Sequence, residues 1–329
     1  MTQTTRRAAI GLLGAGSALA SFAILRAAQA QEAYPSRPVR VIVPFVAGGG
    51  TDDFARRFTP HIGGGIGERV FVENRAGGNT LLATEIAVRA RPDGYTLLQQ
   101  TNNFTVNPYL HEKLSFDTLR DFAPISLVAR APHLLVVNND VPARNVGELI
   151  ALAKARPGAL NFGTSGVGTT NHLAAEMFQK LAGIRLEHVP YRGASEYTND
   201  LLGGRIQMVF AGAAQAIPQA QAGTMRGLGI TGKLRAPDLP NVPTMEEAGL
   251  AGFEIYSWHG YLAPAATPAP ILAKLEQEIR AAALNPRVQA MIPTTEFLGS
   301  TAAEFAEFLR RDYARVGELL QNLGTVRNN

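Results

Sequence analysis

The stretch VPFVAGGGTDDFARRF, Val43 to Phe58, constrains the fold of this chain more than any other. A β-branched apolar run, RPVRVIVPF, breaks into three consecutive glycines, and the chain then restarts with Phe54, Phe58 and Ile62 at helical spacing. Strand, glycine loop, helix is the expected reading. The same grammar returns in LNFGTSGVGTTNHLAAEMFQKLAG. Strands that alternate with helices predict a mostly parallel α/β sheet.

Further strands are expected in RVFVEN, YTLLQQT, HLLVVN, RLEHVPYRG, IQMVFAG and RGLGIT. TLLATEIAVRARPDG reads as a helix stopped by Pro92-Asp93-Gly94, and NVGELIALAKARPG as one capped by Asn145 with Glu148 three residues on. A short helix is expected over Tyr197 to Leu202, and the proline-rich KLRAPDLPNVPTMEEAGLAG reads as a return connection. Towards the C-terminus, Thr267 is a candidate cap with Pro268 at the first helical position. Thr301 and Glu304 form a capping box before a helix that buries Phe305, Phe308, Leu309, Val316, Leu319, Leu320 and Leu323 and stops at Gly324.

The first thirty residues have the form of an export signal: Arg6 and Arg7, an Ala/Gly/Leu-rich run, and AQA at Ala28 to Ala30. Arg26 cuts the run short of the roughly 20 apolar residues of a spanning helix. TRRAAI resembles a twin-arginine signal, with Ala9 where phenylalanine is usual, so the twin-arginine and general secretory routes both stay open. Three of the 31 basic residues lie in this segment, which leaves 28 against 27 acidic ones, a net charge of +1. A nucleic-acid footprint is not expected at that balance, nor is a polybasic membrane patch. No cysteine is present, which excludes thiolate chemistry and a lipidated cysteine. About 300 residues beyond the signal exceed what one hydrophobic core usually serves, so two domains are expected: 34–130 plus 251–329, and 131–250.

Enzymatic readings of the loops meet specific objections. No lysine follows Gly50, as a P-loop needs, and Asp53 stands where the third glycine of a dinucleotide fingerprint would be. In GTSGVGTT a nucleophilic Ser165 would need glycine at position 167, where Val167 stands, and His172 lies seven residues on along a helix. His61, His111, His133, His172, His188 and His259 are not paired at ligand spacing, so no metal site is expected. Two glycine loops without a nucleophile beside them suggest a carrier whose backbone amides grip an anion. The plainer alternative is that both are tight α/β turns in which glycine serves close packing.

The residues PFVAGGGTDDFAR resemble the signature of the substrate-binding proteins of tripartite tricarboxylate transporters, the Bug-type, TctC-like family. The likeness continues in order through VFVENRAGG, RPDGYTLL, NFGTSGVGTTNHL, VPYRGASEYTNDLLGGRIQ, LPNVPTMEEAG and WHGYLAPAATP. It implies a two-domain periplasmic-binding-protein-like (Venus flytrap) fold, each domain a mostly parallel sheet flanked by helices, with the ligand between them. The ligand-binding residues implied from the first domain are Phe45, Gly48, Gly49, Thr51 and Asp52, joined by Thr101 and Asn102. From the second they are Thr164, Ser165, Gly168 and Thr169, then Arg192, Gly193, Ala194 and Asp200. Asp52 and Asp200, both read as near helix starts, are expected to brace loops rather than meet a carboxylate. Asn79 and Thr80 depart from the family, which commonly has two glycines there, and Val46-Ala47 replaces a frequent proline pair. Phe45, Phe104, Tyr191, Trp258 and His259 are candidates to line the cleft, Trp258 equally a core residue.

The expected function is therefore that of a periplasmic receptor. It captures a small organic carboxylate and delivers it to the permease subunits of a tripartite transporter, as a monomer, without catalytic activity and with neither cofactor nor metal. The alternatives are an exported hydrolase using Ser165 and a sensor that presents its liganded form to a signalling partner.

Overall fold

The computed structural model describes residues 34–63, 66, 70–292 and 294–322. The expected signal segment and the helix stop at Gly324 lie outside them. The described residues from Pro38 onwards form one compact unit. Within it, β1 (Val39–Val43), α1 (Gly50–Phe58), β2 (Val70–Asn74), α2 (Leu81–Val88) and β3 (Thr96–Gln100) alternate as the residue periodicities predict, and α3 (Asn103–Leu110), not expected from the sequence, follows. The long β4 (Phe122–Val137) leads into α4 (Val146–Ala155), β5 (Asn161–Thr164), α5 (Thr170–Ala182), β6 (Glu187–Pro190) and α6 (Ala194–Leu202). Then come β7 (Met208–Gly212), α7 (Ala213–Gln221) and β8 (Arg226–Ile230). After the return connection the chain closes with β9 (Tyr256–Pro264), α8 (Ala269–Ala283), α9 (Pro286–Ala290), β10 (Glu296–Phe297) and α10 (Ala302–Asn322).

The strands run in the order β2-β1-β3-β9-β4-β7-β5-β6, with β8 and β10 also paired to β4. β1 lies parallel to β2 and β3, and β5 parallel to β6 and β7. β4 and β9 are antiparallel to one another, because they carry the chain between the two halves in opposite directions. β4 pairs with β9 as far as Pro132↔Tyr256 and with β7 from His133↔Gly212 onwards. One continuous strand thus belongs to two α/β lobes. The register slips between Pro124 and Ser126, where proline has no amide to give the ladder.

Local capping follows the residues in two of three expected places. The Asn145 side chain accepts from the Glu148 amide at 2.9 Å, and Thr301 and Glu304 bond reciprocally. Thr267 does not cap α8. Its hydroxyl donates to the Pro264 carbonyl at 2.7 Å, which tightens the preceding turn instead, and the cap position falls to Pro268.

α10 joins the cores of both lobes. Phe305 and Leu309 pack in a cluster with Phe104, Trp258 and Leu262, whereas Val316 and Leu320 pack with Leu135, Phe178 and Phe210. Thr105 on α3 donates to the buried Asp312 carboxylate at 2.6 Å, which fixes α10 in rotation. The Phe305 ring rests on β9 where Gly260 leaves no room for a Cβ, and it meets Trp258 edge-on at 5.8 Å. Phe305→Ala should therefore destabilise the protein by about 3–5 kcal/mol. A urea midpoint within experimental error of the parent would show that this contact does not hold the helix.

Candidate functional site

Four helices begin at one cavity. The starts of α1 (Gly49, Gly50, Thr51), α5 (Thr169, Thr170, Asn171), α6 (Gly193, Ala194) and α7 (Gly212 to Gln215) all line it. No side chain of their cap residues Gly49, Thr169, Gly193 and Gly212 accepts from a first-turn amide. First-turn amides have no intrahelical acceptor, and each helix start carries about half a positive charge. Their convergence makes an anion site out of backbone alone. Among the described residues lining the cavity there is no lysine or arginine, and the one acid, Asp53, receives Arg57 at 2.9 Å. The cavity measures about 120 Å³.

The structure brings eight of the expected residues to this wall. Phe45, Gly49, Thr51 and Thr101 come from the first lobe, and Ser165, Thr169, Gly193 and Ala194 from the second. The other seven act on the wall from behind or stand away from it. Gly48 has φ +82°, and its amide donates to Asp52 at 2.9 Å. Asp52 also accepts from Arg56 and from Asn74, at 2.9 and 2.8 Å. Burial pushes the Asp52 carboxyl up, but the bonds from Arg56, Gly48 and Asn74 outweigh it and hold the group below the usual carboxylate range. Asp52 so braces the first glycine loop, and the Gly48 amide is spent on it.

Asn102 is engaged on all sides. Its carbonyl oxygen accepts from the Thr170 hydroxyl at 2.9 Å and the Trp258 amide at 3.3 Å, and its amide donates to the Tyr256 carbonyl. Ser257 in turn donates to the Thr170 hydroxyl at 2.9 Å, so this network ties the start of α5 to β9. Thr164 sits 2.6 Å from His188 Nε2 and accepts from the Gly166 amide. Gly168, at φ +76°, donates its amide to His172 Nδ1 at 3.2 Å, and a Cβ there would come within 2.6 Å of Val106 on α3. Arg192 is exposed, its amide donating to Glu196.

Asp200 corrects the expectation of a helix start. It lies in the last turn of α6, where it accepts from the Tyr191 hydroxyl at 2.7 Å and pairs with Arg205. The Tyr197–Leu202 helix begins three residues earlier than its apolar spacing indicated, because Gly193 rather than a side chain starts it.

Of the aromatic candidates, Phe45 and His259 line the cavity. Trp258 and Phe104 are core residues, each 2% exposed, and Tyr191 packs beneath α6. His172 accepts from the Gly168 amide, so that its Nδ1 is not available to Ser165 as a base. Asn79 and Thr80 adopt positive φ (54° and 77°), and the Asn79 side chain bonds to Asn103, which lines the cavity, and to Asn107. Missed from the sequence were the α7 start, Ser257 and His133. VFAGAAQ repeats the strand, glycine, helix grammar with a single glycine, and that signal could have found the first of them.

The lobes touch across the cavity. A Cβ on Gly193 would lie 2.5 Å from Val46 Cγ2, and one on Gly50 3.7 Å from the Gln215 amide.

Residues 54–325 match the model of a family described as tripartite tricarboxylate transporter family receptor. A protein encoded in the tcbD-tcbE intergenic region of a Pseudomonas species is 38% identical over 275 residues, which is 83% of this chain and 82% of that one. Among solved structures, the periplasmic binding protein BugD superposes with a TM-score of 0.84 at 31% identity, over 90% of this chain and 100% of its own. R. palustris Rpa4515 with adipate superposes at 0.86 and 30% identity, with the same coverage.

Proposed function

Because this chain belongs to the tripartite tricarboxylate transporter family of receptors, whose solved members are two-lobed solute-binding proteins and not enzymes, we propose that it captures a small organic carboxylate between its lobes in the periplasm. It hands the ligand, chemically unchanged, to the membrane subunits of a tripartite transporter. Residues 1–30 direct export and are removed. The lobes divide at 34–130 plus 251–329 and 131–250, and the hinge is the pair of crossings at Ala131–His133 on β4 and Tyr256–Ser257 on β9.

One observation carries this reading: four helix starts whose amides no side chain caps meet at a cavity lined, among the described residues, by no lysine or arginine. About four amide bonds to a carboxylate at ~1.5–3 kcal/mol each give roughly 6–12 kcal/mol gross. Apolar contact with Phe45 adds to that, against an association cost of at least ~4 kcal/mol. Micromolar binding needs about 8. The adipate held by the R. palustris relative supports a carboxylate of modest size. So does the volume of 120 Å³, which at ~15 Å³ each holds on the order of eight water-sized groups.

Thermal unfolding in the presence of di- and tricarboxylates, aromatic acids and amino acids tests the proposal. At about 100 times its Kd a ligand adds ~2.7 kcal/mol, which raises the midpoint of a chain of about 300 residues by roughly 4–5 °C. A midpoint unmoved by every acid in the panel would overturn it.

A further inference from the structure

A larger groove of about 640 Å³ lies against the anion cavity, between α1 of the first lobe and α6 and α7 of the second. Five residues line both spaces and so form the partition between them: Asp53, Ala194, Tyr197, Ala214 and Gln215. Two are alanines without reach. Tyr197 is buried, and Asp53 is held by Arg57 at 2.9 Å. Gln215 is the one long side chain of the five that is neither buried nor ion-paired. Among the described residues its carboxamide has no hydrogen-bond partner, and only its backbone carbonyl is engaged, by the Gln219 amide group. What places the carboxamide is packing across the lobes. Its Oε1, Cδ and Nε2 stand 3.7, 3.9 and 3.9 Å from the Cβ position of Gly50, so it lies flat on the glycine that starts α1. These are ordinary contact distances.

A ligand chain that runs from the helix starts towards the groove meets this carboxamide first. The cavity of 120 Å³ holds on the order of eight non-hydrogen atoms, an acid of about six carbons. A longer chain has to push Gln215 off Gly50, and because these two residues belong to different lobes, that parts the starts of α1 and α7. We infer that Gln215 sets the length of acid the receptor accepts: it is the stop at the end of the anion cavity, and without it the cavity and the groove become one space. The groove beyond is flanked by Thr198 on α6 and by Ala214 and Pro218 on α7, so a chain that passes the stop has a wall to follow. Each methylene too many for a filled pocket typically costs roughly 10- to 200-fold in binding.

This inference rests on the receptor reading, and its test separates the two. Binding is measured by calorimetry for straight-chain mono- and dicarboxylates of roughly three to ten carbons, a span that brackets the cavity's capacity. The parent protein should bind best near about six carbons and lose about tenfold or more beyond its limit. Gln215→Ala should move that limit to longer acids and bind them about tenfold tighter than the parent does. Its unliganded melting temperature should stay that of the parent, because no hydrogen bond of the side chain is lost. Gln215→Met, which keeps the reach without the carboxamide, should keep the parent's limit. Thr198→Trp lines the groove alone and, added to Gln215→Ala, should cancel the gain for long acids while short ones bind as before. A limit unmoved in Gln215→Ala, a limit lost in Gln215→Met, a gain that survives Thr198→Trp, or a parent with no limit overturns the inference and leaves the receptor standing. So does binding of other carboxylates with no straight-chain acid bound. Absence of binding by any carboxylate overturns the receptor reading itself.

Discussion

Gly193→Val weakens carboxylate binding by roughly 5- to 150-fold and leaves the unliganded stability within about 1 kcal/mol of the parent. Gly193 has φ −176°, an extended conformation open to any residue, so the substitution introduces no backbone strain. Its consequence is steric and lies between the lobes. The added Cβ would stand 2.5 Å from Val46 Cγ2, against an ordinary contact of about 3.5–4.0 Å. Val46 is β-branched and stiff at χ1, so it cannot turn aside freely. Overpacking of this kind costs about 1–3 kcal/mol, and the expected outcome takes that cost to fall on lobe closure, since lobes that part would relieve it. Val46→Ala removes the offending methyl and should restore most of the affinity of a Gly193→Ala variant. An unchanged Kd for Gly193→Val, measured by calorimetry, would mean that these surfaces do not meet in the liganded receptor.

The second large effect is on acid stability. His133 and His188 are pushed down to about 4, and His172 and His259 to about 3, in each case first by burial. His172 and His188 lie with ring centroids 4.5 Å apart, so a charge on one opposes a charge on the other. Glu176, 3.7 Å from His172 Nε2, is the nearby acid, and burial raises its own carboxyl. A histidine near 6.5 in the unfolded chain and near 3–4 in the folded one takes up its proton first on unfolding. Its contribution to stability is complete above pH 6.5 and is lost as pH falls towards 4. Each such group changes stability by at most about 1.4 kcal/mol per pH unit, so the three buried rings together approach ~4 kcal/mol per unit near pH 5, and the half-buried His188, screened by solvent, adds less. A protein with ~5–15 kcal/mol in hand should unfold within that window. Urea denaturation at pH 7.5, 6 and 5 measures this. A constant stability from pH 7.5 to 5 would show that the four rings are hydrated or charge freely in the fold. His172→Gln should flatten the slope while the remaining histidines keep part of it.

Such a dependence could not be read from the chain before folding. Nothing in the spacing of His172 and His188 places them ring to ring, because sixteen residues and a whole helix separate them; the parallel pairing of β5 with β6 brings them together. Asp200 is a similar case. It was read as a helix-start acid, but Gly193 begins α6 early, and Arg205 and Tyr191 then claim its carboxylate. Asn102 ties Thr170, Trp258 and Tyr256 together, and these partners could not be read from its neighbours because they lie far along the chain.

What the amino-acid sequence determined by itself was whatever depends on near neighbours. The strand, glycine and helix units, the Asn145 and Thr301 caps, the apolar stripes of the helices and the glycine loops between them all follow from spacings of a few residues. The tertiary structure alone decided which of the loops share one cavity, that the start of α7 joins them, and that His133 and His259 meet there from opposite lobes. The physical reason is one of range. A turn or a cap is chosen by sterics and hydrogen bonds within one helical turn, whereas a cavity wall is assembled where β4 and β9 bring distant segments side by side.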